Sequence, residues 1–273
     1  MQSSAPTFTL WQLPAQTRSQ MNSYVLRTHR GQVVVIDGGN TGEAGYLRGF
    51  LAALGNRVAA WFLSHQHLDH VDALTEILKD PGDLEIGPIY GSLNPVEWVA
   101  AHEAVWVETT VQLDAALQVA GRRVAELELG QELAVDDVRF EVLGIRNPEI
   151  TTGSPINNSS VVLRVSDLSR SVLFPGDLGV DGGRKLLAGP GRGRLRSDIV
   201  QMAHHGQNGV ERDFYEAVGA TCCLWPTPRW LWENDGGGGP GSGQWKTLEV
   251  RAWMEELGAQ RHYRLFEGLQ EVS

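Results

Sequence analysis

Three histidines and an aspartate lie within six residues of one another, at His65, His67, Asp69 and His70 in the stretch HQHLDH. The preceding residues, Val58–Leu63, form an apolar run that predicts a buried β-strand. Because residues two apart on an extended chain point to the same side, the imidazoles of His65 and His67 can share one metal ion. Asp69 and His70 follow where the chain turns into a predicted helix, within reach of a second ion. Any fold of this chain must therefore present metal-binding side chains at the end of a covered strand.

Three other predicted strands also lead into residues of metal-binding type: Gln32–Ile36 into Asp37, Ser171–Phe174 into Asp177, and Asp198–Met202 into His204 and His205. Imidazole suits zinc, and added carboxylate oxygens extend the choice to manganese. Two ions about 3.5–4 Å apart can clamp the attacking and leaving oxygens of a displacement. Alternatively, these residues are hydrogen-bonded core histidines and helix caps. That alternative needs two histidine clusters to follow strands by chance, so we predict two divalent metal ions, zinc or manganese.

The HQHLDH stretch matches the HxHxDH signature of the metallo-β-lactamase superfamily. The chain resembles that family over nearly its whole length, with Asp37, the aspartate of FPGDLG and the histidines of MAHHG in the family's order. Its later part is similar to the soluble hydrolase domain of ComEC-type DNA-uptake proteins, through NNSSVVLRV, SVLFPGDLG, SDIVQMAHHG and the loop WEND. No membrane segments of the uptake protein are found, so a stand-alone relative is expected. The resemblance implies an α/β fold, a four-layer αββα sandwich, with residues 1–273 as one domain.

The resemblance also implies a role for each matching residue. His65 and His67 would bind the first metal, Asp69 and His70 the second, and Asp177 would bridge the two. His205 would complete the second site, with His204 as the less favoured choice. Asp37 would orient a ligand from behind, as such supporting groups do. Asp69 would also be catalytic, by positioning or deprotonating the attacking water.

One departure from the family concerns the further histidine that most members carry before the bridging aspartate. The histidine of this chain in that interval is His102, in a predicted helix spanning Pro95–Val119 and far upstream of the expected place. The expected place holds Asn157, Asn158, Ser159 and Ser160 instead, as in the ComEC-like group. An asparagine or serine oxygen would then assist the first metal, which favours manganese or partial occupancy over zinc.

A basic run, Gly183–Arg196, follows the predicted bridging aspartate and carries Arg184, Arg192 and Arg194 with no acidic residue. It is either a solvated loop or an anion-binding lip beside the metals, because arginine matches the geometry of phosphate. Its glycines predict mobility that could close the lip on substrate. A second unusual segment, Trp225–Trp245, combines tryptophan, proline and glycine and includes Asn234, a candidate substrate contact. It is either a surface loop plugging the core, which we favour slightly, or an aromatic wall over a ligand.

The charge balance limits the classes of molecule that the protein is expected to bind. Lys and Arg number 23 against 33 Asp and Glu, a formal net charge of −10. That balance excludes a generic electrostatic nucleic-acid binder and disfavours stable binding to duplex DNA. A small-molecule or nucleotide-like substrate is expected instead. The two cysteines are adjacent in sequence and so are poor partners for a disulfide. The sequence predicts no leader, no membrane span and a cytoplasmic location.

Three functions remain open at this stage. The first is a metal-dependent hydrolase of a phosphoester or phosphodiester, acting through an activated water. The second is a hydrolase of thioesters, lactones or other carboxylic esters, in which the tryptophan-rich loop shapes an apolar pocket. The third is a metal-binding module without catalysis, since a fold alone does not establish an activity. Retention of the second metal's ligands ranks this last hypothesis lowest.

Overall fold

A computed structural model describes residues 6–273; the first five residues of the N-terminal stretch in which no leader was predicted lie outside the described residues. The strands in chain order are β1 (Phe8–Gln12), β2 (Ser23–Thr28), β3 (Val33–Asp37), β4 (Arg57–Val58), β5 (Ala60–Phe62), β6 (Glu85–Ile86), β7 (Ile89–Gly91), β8 (Val124–Glu126), β9 (Glu132–Val135), β10 (Val138–Gly144), β11 (Val162–Ser166), β12 (Ser171–Phe174), β13 (Ile199–Gln201), β14 (Cys222–Trp225), β15 (Arg261–Arg264) and β16 (Gln270–Val272). The α-helices are α1 (Ala44–Ala53), α2 (Leu68–Lys79), α3 (Val96–His102), α4 (Val107–Val119), α5 (Pro155–Asn158), α6 (Val180–Ala188), α7 (Arg212–Val218), α8 (Arg229–Trp232) and α9 (Thr247–Glu256).

Two seven-stranded sheets organise these elements, in the orders β16-β1-β2-β3-β5-β7-β8 and β15-β14-β13-β12-β11-β10-β9, and β4 pairs separately with β6. In the first sheet β3, β5, β7 and β8 are parallel neighbours, and in the second β12, β13, β14 and β15 are. The remaining pairs in each sheet are antiparallel. In sheets of this kind ligands bind beyond the carboxyl ends of the parallel strands.

Successive side chains along the central strands point to opposite faces of each sheet. In β3, Val33 and Val35 pack on the first helical layer, whereas Val34 and Ile36 enter the core between the sheets. In β12, Leu173 faces the second helical layer, and its neighbours face the inner core. Strands buried on both faces need apolar residues at every position, which explains their continuous apolar runs. The four-layer αββα fold is confirmed.

The outer layers consist of helices with one apolar face. Helices α1, α2 and α4 cover the first sheet, and α6, α7 and α9 cover the second. Helix α2 is the most deeply buried of these for its length, and Val71, Leu74 and Ile77 are inaccessible at helical spacing. Because α2 begins at Leu68, this packing fixes the HQHLDH segment against the first sheet. Within the described residues, no helix is both long and apolar enough to cross a membrane.

The structure corrects two predicted elements. The helix predicted over Pro95–Val119 is broken after α3, where Glu103 leaves helical geometry (φ −151°, ψ 58°) and a 3₁₀ turn, Ala104–Trp106, precedes α4. The Glu103 carboxylate accepts a hydrogen bond from the Ile156 backbone N–H at 2.9 Å, a tertiary contact that outweighs local helix propensity. The strand predicted over Val58–Leu63 is divided into β4 and β5, because β4 pairs with β6 whereas β5 pairs with β3 and β7.

Candidate metal centre

The residues of HQHLDH lie at the carboxyl end of β5, where the chain enters α2. His67 is the N-cap of that helix and has extended backbone (φ −87°, ψ 152°), so His65 and His67 project before the helix starts. Asp69 and His70 are in its first turn. All four side chains are buried, with His70 completely inaccessible. Burying so many ionisable groups is costly unless they are paired or bind a metal.

The structure brings the predicted ligands into two groups that share Asp177. In the first group, ligand atoms of His65, His67 and Asp177 lie within 4.8 Å of one another. In the second, ligand atoms of Asp69, His70, Asp177 and His205 do the same. The His205 Nε2 atom lies 3.1 Å from Asp69 Oδ2 and 3.2 Å from Asp177 Oδ2, and His70 Nε2 lies 3.3 Å from Asp177 Oδ1. Asp177 follows β12 and therefore joins the two sheets at this edge.

The second ring nitrogen of three of these histidines is occupied on the side away from the groups. His70 Nδ1 lies 2.8 Å from Asp37 Oδ2, and His205 Nδ1 lies 2.9 Å from the Pro226 carbonyl oxygen. His65 Nδ1 lies 3.0 Å from Ser64 Oγ. A proton on Nδ1 satisfies these acceptors and leaves the Nε2 lone pair facing the shared centre, as in metal-binding histidines.

Among the described residues, the atoms that face the centre have no hydrogen-bond partner although they are buried. They are the Nε2 atoms of His65, His67, His70 and His205, together with Asp177 Oδ1. Buried polar atoms are almost always paired, so five convergent exceptions call for an occupant. Neutral imidazoles and carboxylates are the donors that divalent transition metals prefer. These residues therefore fit a metal site.

Burial and mutual charge shift the titration of the centre in opposite directions. Burial lowers the pKa of His67 to about 3, which favours the neutral, metal-binding imidazole. At His205 burial disfavours the charged form, but the carboxylates of Asp177 and Asp69 prevail and raise the pKa to about 9. Burial alone would raise the pKa of those two carboxyl groups, but the charge of the nearby His70 and His205 outweighs it and lowers the pKa of both well below the usual range.

Asp37 supports His70 from the end of β3. It is fully buried, and its carboxylate accepts hydrogen bonds from Asn22 Nδ2, from the Ser64 backbone N–H and from Ser64 Oγ, each at 2.8 Å. Its backbone is in the left-handed region (φ 56°), and its carbonyl oxygen accepts from Trp61 Nε1 at 2.8 Å. A non-glycine residue held in this region marks a conformation imposed by its surroundings.

His204 and His205 occupy different positions although they are adjacent. Both have left-handed backbone (φ 50° and 56°) in the turn after β13. This turn directs His205 into the second ligand group and leaves His204 half-buried at the edge of the neighbouring cleft. His204 Nδ1 lies 3.1 Å from the Asn208 carbonyl oxygen, and its Nε2 lies 3.3 Å from Asn157 Nδ2. His204 is outside both groups of metal-ligand atoms.

An open cleft of about 400 Å³ lies over the centre. The residues that line it are Ser19, Gln20, Asn40, His67, Leu68, Asp69, Glu103, Trp106, Ser154, Asn157, Asp177, His204 and Trp230. Trp106 stacks obliquely on His67, with ring centroids 4.2 Å apart. On the tryptophan-rich segment, Trp230 donates from Nε1 to the Arg18 carbonyl oxygen at 2.8 Å, whereas Trp225 is buried in the core. In that segment, Trp225 therefore fills part of the core and Trp230 forms one wall of the cleft.

Two of the predicted auxiliary residues, Asn158 and Ser159, and the predicted substrate contact Asn234 form their hydrogen bonds outside the cleft. Asn158 Oδ1 accepts from the Gly182 backbone N–H at 2.8 Å, which ties α5 to α6. Ser159 Oγ accepts from the backbone N–H of Asn147 at 3.2 Å. Asn234 closes its own loop: its Nδ2 donates to the Gly243 carbonyl oxygen at 3.1 Å. None of the three lines the cleft within the described part of the chain.

The basic run does not reach the cleft either. Much of it is helical, in α6 and a following 3₁₀ turn. Arg194 donates to Glu141 and, at 2.9 Å, to Glu132, because the nearly buried Glu141 carboxylate requires cationic partners. Arg184 and Arg192 are exposed. Over residues 6–273 the cleft lining contains no arginine or lysine, which favours the solvated-loop alternative over an anion-binding lip beside the metals.

Sequence reasoning missed several groups that contact the centre. Gln20 Nε2 donates to Asp69 Oδ2 at 3.1 Å, and Gln20 Oε1 accepts from Gln207 Nε2 at 3.0 Å. Ser160 Oγ accepts from the Asp177 backbone N–H at 3.1 Å. Gln20 belongs to an irregular N-terminal segment, and no local pattern predicts that it crosses to α2. The Ser160 contact had a weak signal, since this serine ends the predicted NNSS motif.

Comparison with known proteins agrees with this architecture. The family model described as "Metallo-beta-lactamase superfamily" matches residues 17–220. No curated protein sequence matched the chain. The solved structure of the metallo-beta-lactamase fold protein YhfI from Bacillus subtilis is 14% identical, with a TM-score of 0.58 over 97% of this chain and 100% of that one.

A structure of the CmlA beta-hydroxylase is also similar to the chain. It is 16% identical, with a TM-score of 0.57 over 98% of this chain, and the alignment covers 54% of CmlA. The chain thus corresponds to about half the length of CmlA. At these identities the likeness shows a common fold and nothing about the substrate.

Proposed function

Because the chain belongs to the metallo-β-lactamase superfamily, most of whose members are metal-dependent hydrolases, we propose that it is a binuclear metallohydrolase of small phosphodiesters. The observation that carries the proposal is the pair of buried ligand groups that share Asp177, with five convergent atoms lacking partners. The first group would hold one divalent ion and the second group another. Zinc and manganese both suit these donors.

Two bound ions would supply a nucleophilic water at neutral pH and neutralise charge on the reacting oxygens. The protein's own residues would hold this arrangement. Asp37 fixes the ring of His70, and the Pro226 carbonyl fixes the ring of His205. Asp69 remains ionised and is held by Gln20, so its carboxylate can bind a metal and orient a water molecule by accepting its proton in a hydrogen bond.

The cleft indicates the size and charge of the substrate. Glu103, Asp69 and Asp177 line it, and the charge of a phosphodiester would have to be matched mainly by the metals, since the described lining has no arginine or lysine. A long polyanion needs many Lys or Arg contacts along its backbone. A nucleotide-sized phosphodiester needs only the metals at its single charged group. The likeness of the later motifs to the ComEC-type hydrolase domain supports the same substrate class.

A second candidate is hydrolysis of an uncharged carboxylic ester, thioester or lactone. The observation that favours it is the pair of indole walls, Trp106 and Trp230, in a cleft whose described lining has no arginine or lysine. Aromatic walls bind apolar groups as readily as nucleobases. The two candidates share the metal centre and differ in the charge of the substrate that the cleft accepts.

Hydrolysis of bis(p-nitrophenyl) phosphate by metal-stripped protein, with manganese or zinc added back, tests the proposal. We expect turnover that depends on added metal and disappears in Asp69→Ala. Asp72→Asn, an aspartate on the same helix outside both ligand groups, is the matched control and should retain turnover. Turnover of p-nitrophenyl acetate without turnover of the phosphodiester would favour the second candidate. Binding of metal without turnover of either substrate would indicate a non-catalytic module.

A further inference from the structure

The two ligand groups differ in size, and Asn157 lines the cleft together with residues of the smaller one. The first group offers three ligand residues and the second offers four. Asn157 is 3% exposed and lines the cleft beside His67 and Asp177. It is held on the short helix α5, which starts from Ser154 in left-handed geometry (φ 61°) with Pro155 as its first residue. Asn157 Oδ1 is buried and has no hydrogen-bond partner within residues 6–273.

A hydrogen-bond chain through His204 fixes which end of the Asn157 amide is free. His204 Nδ1 can only donate to the Asn208 carbonyl oxygen, so a neutral His204 carries its proton there. Its Nε2 atom is then an acceptor, and Asn157 Nδ2 donates to it at 3.3 Å. The opposite orientation of the amide would place Oδ1 against a lone pair and leave two N–H donors unpaired in the site. The amide oxygen is therefore the unpartnered end.

From this arrangement we propose that Asn157 Oδ1 is the fourth protein ligand of the metal held by His65, His67 and Asp177, and that His204 positions it. The inference rests on the metal centre of the proposed function but not on any hydrolytic activity. It also gives a role to the left-handed backbone of His204, a strained conformation for a non-glycine residue. The same turn that directs His205 to one metal directs His204 to the amide serving the other.

A neutral amide oxygen as a ligand changes which metal ion the first site prefers. Its donors become two imidazoles, one carboxylate shared with the second site, and one carbonyl-type oxygen. Oxygen ligands suit manganese better than a third imidazole does, and imidazole favours zinc. The first site should therefore be the weaker of the two for zinc and the one that selects manganese.

Calorimetric titration of metal-stripped protein with MnCl₂ and, separately, ZnCl₂ tests the inference without reference to catalysis. We expect two metals per wild-type chain, and in Asn157→Ala at least about tenfold weaker binding at one site with the other unchanged. Asn157→Asp, which restores an oxygen ligand, should bind manganese as tightly as wild type or more tightly. Asn157→His should raise zinc affinity at that site relative to manganese. His204→Ala should weaken the same site less than Asn157→Ala does.

Two controls separate ligation from folding. Asn40→Ala removes another cleft asparagine, whose Nδ2 is already committed to the Gln20 carbonyl oxygen, and should leave both metal affinities unchanged. Thermal melts in EDTA should give the same Tm for Asn157→Ala and wild type, with the difference appearing only when metal is added. Wild-type affinity at both sites in Asn157→Ala, or equal loss at both, would overturn the inference. A wild-type protein that binds no metal would overturn the metal centre itself.

Discussion

Replacement of Asp37 by asparagine probes how the fold orients a metal ligand without touching the metal. Asp37 Oδ2 accepts from Asn22, Ser64 Oγ and His70, whereas Oδ1 accepts only from the Ser64 backbone N–H. The amide of Asp37→Asn should therefore place its oxygen at the Oδ2 position and its nitrogen against the Ser64 N–H. One buried donor then loses its acceptor, at a cost of about 1–3 kcal/mol.

The effect of Asp37→Asn on metal binding is worked from the same contacts. His70 Nδ1 keeps an acceptor but loses the carboxylate charge that makes its Nε2 atom a stronger ligand. Loss of such a partner weakens metal binding by about 10–100-fold, equivalent to about 1.4–2.8 kcal/mol. Urea unfolding of the metal-stripped protein measures the first cost, and calorimetric titration with zinc measures the second. Metal affinity within threefold of wild type would refute the argument that Asp37 orients His70, with Asp72→Asn as the control.

Four further outcomes follow from the same structure. Since the neighbouring carboxylates raise the pKa of His205 to about 9 and also raise the pKa of His70, metal binding at pH 7 must displace protons from these histidines, and apparent metal affinity should rise between pH 7 and pH 9; pH-independent binding in calorimetry would contradict this. Asp69→Ala should abolish metal-dependent turnover while the circular dichroism spectrum stays that of wild type. Trp106→Ala should raise KM for aryl substrates several-fold and leave KM for methyl esters nearly unchanged; equal effects on both would exclude a stacking wall. Arg194→Ala should leave KM for anionic substrates unchanged, because Arg194 does not line the cleft. It should lower the free energy of unfolding by only about 1 kcal/mol, because Arg164 still pairs with Glu141. A raised KM for anionic substrates would instead support an anion-binding role for the basic run.

The parts of the structure that local pattern determines were predictable. The run Val58–Leu63 and the histidine spacing after it predicted a covered strand end with ligands, and β5 and α2 provide it. Strand β12 has the predicted bounds, because it is a short apolar run closed by turn residues. Burial on two faces leaves little choice of residue type at such positions, so the signal in the sequence is strong.

The parts that depend on distant contacts were not predictable. Strands β15 and β16 carry weak patterns and exist because the chain returns to pair with β14 and β1. The long predicted helix breaks at Glu103 through a contact with Ile156, more than fifty residues away in the chain. The basic run looked like a phosphate site because its sequence lacks acidic residues. Its partner Glu141 comes from β10, and only the tertiary structure shows that pairing.

X-ray diffraction from crystals soaked in manganese or zinc, with anomalous scattering recorded at the metal's absorption edge, tests the central claim most directly. The account predicts two anomalous peaks about 3.5–4 Å apart on either side of Asp177. One would lie among His65, His67 and Asp177, and the other among Asp69, His70, Asp177 and His205. A single peak, or peaks away from these side chains, would contradict a binuclear centre.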